Sequence, residues 1–183
     1  MIEVEIKTVV RNREEIIEKL LQLGFQKEMQ MKESDFYFDN ESGDIRFSDK
    51  ALRIRCCENL TTKKTESFMT FKGPKLDNVS MTRSEYEIEI SNIETGMEIL
   101  ENLGYTSVYP VVKMRQYFKK GESRACLDQV ENLGDFLELE IVVEDDRDRD
   151  KALDKIMLIL QELGYEKKDV IRRSYLSMLQ EEA

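Results

Sequence analysis

The residues richest in chemistry here are charged, and they come in alternation. Glu3, Glu5 and Lys7 fall on one side of a strand-like run whose other side carries Ile2, Val4 and Ile6. The pattern returns along the chain. Arg53 and Arg55 alternate with Leu52 and Ile54, and Lys72 follows Phe71. Arg83, Glu85 and Glu87 share a face, as do Lys113 and Arg115, Arg124 and Asp128, and Glu138 and Glu140 opposite Leu137, Leu139 and Ile141. One such face, taken alone, reads as the solvated side of an antiparallel sheet. Repeated with this mixture of signs, it suggests two kinds of ligand. Carboxylates suit a hard cation such as Mg²⁺ or Mn²⁺, while Arg forks and Lys points suit phosphate oxygens.

Composition removes the alternatives. The 183 residues contain no histidine, so Ser–His and Cys–His nucleophile pairs, most zinc sites and any imidazole proton shuttle are excluded. Cys56, Cys57 and Cys126 form no CxxC and leave an odd count, which argues against a disulfide framework. Charged residues make up 36% of the chain, and the formal net charge is −10. That sign opposes long-range attraction to nucleic acid or an anionic membrane. No signal peptide pattern opens the sequence and no apolar run approaches the ~20 residues of a membrane span, so a soluble cytoplasmic protein is expected.

The elements that must position these charges form a repeating unit. Leu20–Phe25, Leu100–Tyr105 and Leu160–Tyr165 each end a helical apolar pattern with Leu-Gly-aromatic, the signature of a left-handed glycine cap. Asn12 with Glu15, and Ser91 with Glu94, read as helix starts. Acids at alternate positions precede each helix, and an aromatic follows each glycine, near Phe36, Tyr117 and Tyr175. Period-two runs near 1–9, 33–39, 50–58, 66–73, 83–90, 111–119, 123–130 and 135–143 give about eight strands, with Gly73-Pro74 read as a turn. No linker or composition shift divides the chain, so residues 1–183 are expected to form one α+β domain.

If that sheet closes into a barrel with its apolar face toward outer helices, the charges point inward. A barrel of about eight strands has room for side chains or one small ligand. The lining would be eight basic residues (Lys7, Arg53, Arg55, Lys72, Arg83, Lys113, Arg115, Arg124) against seven acids (Glu3, Glu5, Glu85, Glu87, Asp128, Glu138, Glu140), a balance of +1. Two divalent ions would bring it near the charge that balances a nucleoside triphosphate. Elsewhere the bland interpretation holds. Cys57 and Cys126 read as small fillers, Met29, Met31 and Tyr37 as packing, Arg172-Arg173 as a solvated helix start, and Glu144–Asp150 as a solvated loop.

The ordered set of motifs resembles the CYTH superfamily, the triphosphate tunnel metalloenzymes. Glu3-Val4-Glu5-Ile6-Lys7 matches its E-x-E-x-K opening. The likeness continues through Arg53-Ile54-Arg55, Thr70–Pro74, Arg83–Glu87, Lys113-Met114-Arg115, Asp128 and Gly134–Glu140. The stretch from Leu127 to Phe136 looks closest to the class IV adenylyl cyclase branch. The resemblance implies a closed eight-stranded antiparallel tunnel with helices packed outside. It implies Mg²⁺ or Mn²⁺ on Glu3, Glu5, Asp128, Glu138 and Glu140. The triphosphate would lie along Lys7, Arg53, Arg55, Lys72, Lys113 and Arg115, with Arg83 and Arg124 in support and Lys7, Lys72 and Arg115 acting on the reacting groups. The implied chemistry is metal-assisted phosphoryl transfer. In a cyclase, the ribose 3′-hydroxyl attacks the α-phosphorus and pyrophosphate leaves; in a triphosphatase, water attacks the terminal phosphorus. A module that binds polyphosphate or nucleotide without turnover is the third alternative, and association into a homodimer is left open.

Overall fold

A computed structural model describes residues 1–108 and 110–182. Its strands are β1 (Ile2–Val9), β2 (Gln26–Asp39), β3 (Ala51–Asn59), β4 (Thr65–Lys75), β5 (Arg83–Glu89), β6 (Thr106–Ser107), β7 (Val111–Lys120), β8 (Ser123–Val130) and β9 (Gly134–Val143). The helices are α1 (Arg13–Gln22), α2 (Asp44–Phe47), α3 (Ile93–Asn102), α4 (Arg149–Glu162) and α5 (Tyr175–Glu182). The sheet runs β3-β4-β5-β1-β9-β8-β7-β2 and closes through pairing of β2 with β3, every pair antiparallel. The result is a closed eight-stranded barrel with the helices outside it, and the two-residue β6 hangs on the edge of β2.

The apolar core lies between the barrel's outer wall and the helices. Val4 and Ile6 of β1, Leu127 of β8, and Leu137, Leu139 and Ile141 of β9 pack against Ile16 and Leu20 of α1, Ile156 and Leu160 of α4, and Leu163 just past the end of α4. On another side, Leu100 of α3 packs on Phe38 and Ile54. Each such side chain stabilises the fold by ~1.5–3 kcal/mol relative to exposure, and the sum is what offsets a polar interior. Because strand side chains alternate, fixing the apolar set outward turns every charged residue of the other parity inward.

The three Leu-Gly-aromatic endings are one structure used three times. Gly24, Gly104 and Gly164 have φ of +87°, +87° and +92°, and the following aromatic N–H donates back to the carbonyls of Leu20, Leu100 and Leu160. This double cap satisfies carbonyls that a helix end would leave open. Asn12 caps α1 as its sequence suggests, accepting from the Glu15 N–H at 3.2 Å. In α3 the cap is Asn92, not Ser91: its side chain accepts from the Thr95 N–H at 2.7 Å.

Two expectations about strands are corrected. Gly73-Pro74 is no turn. It lies inside β4, where the register with β5 shifts between Lys72 and Lys75, and the bulge absorbs a proline that has no N–H to donate. β2 starts at Gln26, well before residue 33, although Gln26–Lys32 has little apolar alternation. There the Gln116 amide of β7 donates to the Glu28 and Met29 carbonyls at 3.1 and 3.0 Å beside a second register shift. The acidic segment after β9 is not all loop either: Asp146–Asp148 form a 3₁₀ turn leading into α4.

Candidate active site

The barrel encloses a cavity of about 600 Å³, within the range of small-molecule sites. One end is covered by α5, where Tyr175 and Leu179 pack on the inward-facing Val111, Val130 and Phe136. Arg172 ties this segment to the β4–β5 loop, donating to the Ser80 and Asp77 carbonyls at 3.1 and 2.7 Å. Arg172 and Arg173 therefore border the cavity instead of forming a solvated helix start.

The lumen has two chemically different walls. On β1, β5 and β9, five glutamates crowd together: Glu3, Glu5, Glu85, Glu138 and Glu140. Lys72 of β4 stands among them, ion-paired to Glu3, 3.4 Å from Glu85 and 4.0 Å from Glu5. Burial would raise Glu3, but the Lys72 ammonium and its hydrogen-bonded neighbours bring it down to about 2. Burial together with the Glu138 and Glu3 charges pushes Glu5 up to about 8. Burial, opposed by Lys72 and assisted by Glu3, puts Glu85 at about 7, and burial with Glu3 raises Glu140. Glu138 goes the other way: burial is outweighed by Arg115 and Lys7, which hold it well below the usual range. Lys72 is held above its ordinary pKa, burial notwithstanding, by Glu3, Glu85 and Glu5. It is a fixed positive charge and no proton acceptor.

The facing wall, on β2, β3 and β7, carries the cations. Arg55 forks onto Asp35 through Nε at 2.5 Å and Nη2 at 2.8 Å. Arg53 is held more loosely, with Nη1 3.5 Å from Asp35, Nη2 3.3 Å from the Thr70 hydroxyl, and no partner for its buried Nε. Lys113 lies 3.3 Å from Glu33 and 3.5 Å from Asp35. Arg115 bridges the walls, forking onto Asp128 at 2.6 and 2.5 Å and pairing with Glu138. Lys7 reaches Glu138 at 3.2 Å and sits 4.0 Å from the centre of the Tyr175 ring.

Most of the residues singled out in the sequence are thus brought together, and three occupy less central places. Asp128 is fully buried beside the glutamate cluster, sharing Arg115 Nη2 with Glu138, both its oxygens engaged by Arg115 and one also by the Tyr175 hydroxyl at 2.9 Å. Arg83 points to the rim, donating to the Asp49 and Gly73 carbonyls. Arg124 is exposed at the other end, its guanidinium 5.6 Å from the centre of the Tyr117 ring.

Sequence inspection missed Glu33 and Asp35, two buried acids that add to the seven counted from the sequence. The signal was present in the alternation Glu33, Asp35, Tyr37 opposite Phe36 and Phe38. Tyr37 and Tyr117 also line the cavity. Cys57 lines it too, but burial and Glu33 push its thiol up to about 12, and burial with Glu140 raises Cys126 well above normal. Neither is a reactive thiolate.

The glutamate cluster fits a hard divalent cation in donor chemistry, since it offers carboxylate oxygens, with Glu5, Glu85 and Glu140 raised for want of enough neutralising charge. Among the described residues, no three such side chains already converge as a finished ligand shell. A cation would take over contacts now made by Lys72. Glu3, Glu5, Glu138 and Glu140 are the residues that would hold it.

Residues 1–175 match the CYTH domain. The chain belongs to the CYTH family. It is 40% identical over 178 residues to a Methanocaldococcus jannaschii protein named "Putative adenylate cyclase MJ0240", covering 97% of this chain and 98% of that one. It is 24% identical over 150 residues to the adenylate cyclase CyaB of Aeromonas hydrophila, covering 82% and 73%. The solved PH1819 protein of Pyrococcus horikoshii superposes with a TM-score of 0.89 at 37% identity, covering 99% of both chains. Among the described residues of this CYTH chain, no helix is long and apolar enough to cross a membrane.

Proposed function

We propose that this CYTH protein is a metal-dependent adenylyl cyclase of the class IV kind, converting ATP to cyclic AMP and pyrophosphate inside the barrel. The observation that carries the proposal is the opposition of two walls across one cavity: a cation array on β2, β3 and β7, and a glutamate cluster on β1, β5 and β9. A triphosphate needs the first, and the divalent cation that accompanies it needs the second. The kinship with proteins named adenylate cyclases supports the choice of reaction.

Arg53 and Lys113 bind phosphate oxygens, with Arg53 Nε the donor best placed to take one. Arg55 and Arg115, forked onto carboxylates, fix the array from behind. Lys72, held cationic, and Lys7 stabilise charge that builds on the phosphates in the transition state. Mg²⁺ or Mn²⁺ bound on Glu3, Glu5, Glu138 and Glu140 would supply Lewis acidity at the reacting phosphate. The 3′-oxygen forms a bond to the α-phosphorus, the bond to the β-bridging oxygen breaks, pyrophosphate departs, and the hydroxyl proton passes to solvent. Incubating purified protein with ATP and each metal, then separating the nucleotides, tests the proposal. Cyclic AMP is expected, and ADP with orthophosphate would replace it by hydrolysis.

A further inference from the structure

Glu33 and Asp35 stand apart from the glutamate cluster and have no place in the chemistry described so far. They lie two residues apart on β2, on the same lumen-facing side, with relative exposures of 0% and 1%. Register places Asp35 directly across from Arg55 of β3 and Glu33 directly across from Lys113 of β7. Asp35 meets Arg55 at 2.5 and 2.8 Å and lies 3.5 Å from both Arg53 and Lys113. Glu33 lies 2.9 Å from Arg55, 3.3 Å from Lys113 and 3.9 Å from Arg115, and accepts the Tyr117 hydroxyl at 2.5 Å. Two carboxylates thus touch all four cations of the facing wall.

A wall selected only for tight phosphate binding would omit them. Buried acids carry a large desolvation cost, and each subtracts a full charge from a site meant for a polyanion. What they contribute is order. Arg and Lys side chains have many rotamers, and a bidentate carboxylate fixes a guanidinium plane before any ligand arrives. We infer that Glu33 and Asp35 are positioning residues that preset the phosphate-binding cations and moderate their charge, so that a triphosphate is aligned for reaction without its pyrophosphate product being trapped. The inference rests on the phosphate-binding role proposed above for this wall.

The two near-isosteric variants Asp35→Asn and Glu33→Gln test it. Titration calorimetry with inorganic tripolyphosphate in the presence of a chelator reads the array without turnover, and steady-state assay with ATP reads alignment. In Asp35→Asn, tripolyphosphate should bind about tenfold more tightly, with a steeper salt dependence, because one buried positive charge is released toward the ligand. Over the same change kcat should fall by about tenfold or more, because the Arg55 fork is no longer held. Glu33→Gln should move both quantities in the same directions. A merely structural pair predicts the opposite sign, with weaker binding as the wall loosens. Unchanged or weaker tripolyphosphate binding in folded variants, checked by circular dichroism, would overturn the inference and leave the phosphate site standing. Failure of both variants to fold would assign the pair to stability and overturn it as well. Wild-type protein that does not bind tripolyphosphate would remove the phosphate-binding wall itself, and the inference with it.

Discussion

Glu5 of β1 and Glu140 of β9 stand directly opposite each other in antiparallel register, and both side chains face the lumen. Like charges so placed destabilise a sheet unless a proton or a cation intervenes. Glu5→Gln and Glu140→Gln should therefore keep the fold and match or exceed wild-type thermal stability in chelator. Both should lose the rise in melting temperature that Mg²⁺ or Mn²⁺ gives the wild type, and both should lose turnover. Near-normal activity in the two variants at limiting metal would rule out a cation at this pair.

The same cluster sets a pH dependence whose sign can be worked out. Glu5 is raised to about 8 and Glu85 to about 7 from an ordinary value of 4.5. Between those limits the folded chain holds more protons than the unfolded one, so metal-free stability falls as pH rises from about 4.5 toward 8. A divalent cation needs the ionised carboxylates, so its stabilising effect should grow across the same window. Melting curves with Mn²⁺ and with chelator should separate more at about pH 8.5 than at about pH 6. Equal separation at both would contradict the assignment.

Arg53 carries a further prediction because it is the least committed cation of its wall. Arg53→Ala should weaken triphosphate affinity by about 1.5–3 kcal/mol, the size of a lost charge-assisted contact. Arg53→Lys should recover only part of that, since an ammonium cannot reproduce the planar fork. Unchanged KM and kcat in Arg53→Ala would show that the phosphates lie elsewhere.

Asp128 offers a test of whether a buried acid beside the cluster serves the fold or the cation. Its carboxylate is completely buried between Arg115 and the Tyr175 hydroxyl. Asp128→Asn should cost about 3–5 kcal/mol of stability by leaving a buried guanidinium short of its partner. The midpoint of metal stabilisation, measured by thermal shift against Mg²⁺ concentration, should hardly move. A large loss of metal affinity at unchanged stability would return Asp128 to the cation site.

Much of this architecture was legible in the sequence because two periodicities state it directly. Ile2, Val4 and Ile6 fix the outer face of β1 and so send Glu3, Glu5 and Lys7 inward, and the three glycine caps mark where helices end. What escaped was whatever depends on partners distant in the chain. Residues 26–32 form a strand through backbone pairing with β7, with the Gln116 amide covering the Glu28 and Met29 carbonyls where the register shifts, and no local propensity reveals this. Asp128 has the lumen parity its spacing predicts, but its bond from the hydroxyl of the α5 residue Tyr175, 47 positions away, is not legible in the sequence. Glu33 and Asp35 were readable by parity but sit in a run, Glu33-Ser34-Asp35, whose outward residue is polar, so the apolar alternation that marks the other strands is missing there.

The product of the reaction is the remaining prediction. ATP with Mn²⁺ or Mg²⁺ should give cyclic AMP and pyrophosphate. The lumen would hold any triphosphate, so the ground for cyclisation is kinship and the sequence from Asp128 to Glu140, not the charges alone. No histidine is present to take the hydroxyl proton near neutrality, and Lys72 is held cationic by Glu3, Glu85 and Glu5. Loss of that proton should therefore be favoured by alkaline conditions, as is ionisation of Glu5 and Glu85 in the cluster that would hold the cation. The rate should climb from about pH 7 toward an alkaline optimum. Chromatography of the nucleotides, with phosphorus NMR to distinguish pyrophosphate from orthophosphate, decides the reaction. ADP with orthophosphate, together with fast cleavage of tripolyphosphate, would make the protein a triphosphatase, and binding without any product would make it a polyphosphate-binding module. A rate that peaks near pH 6 would contradict the requirement for ionised lumen carboxylates under any of these reactions.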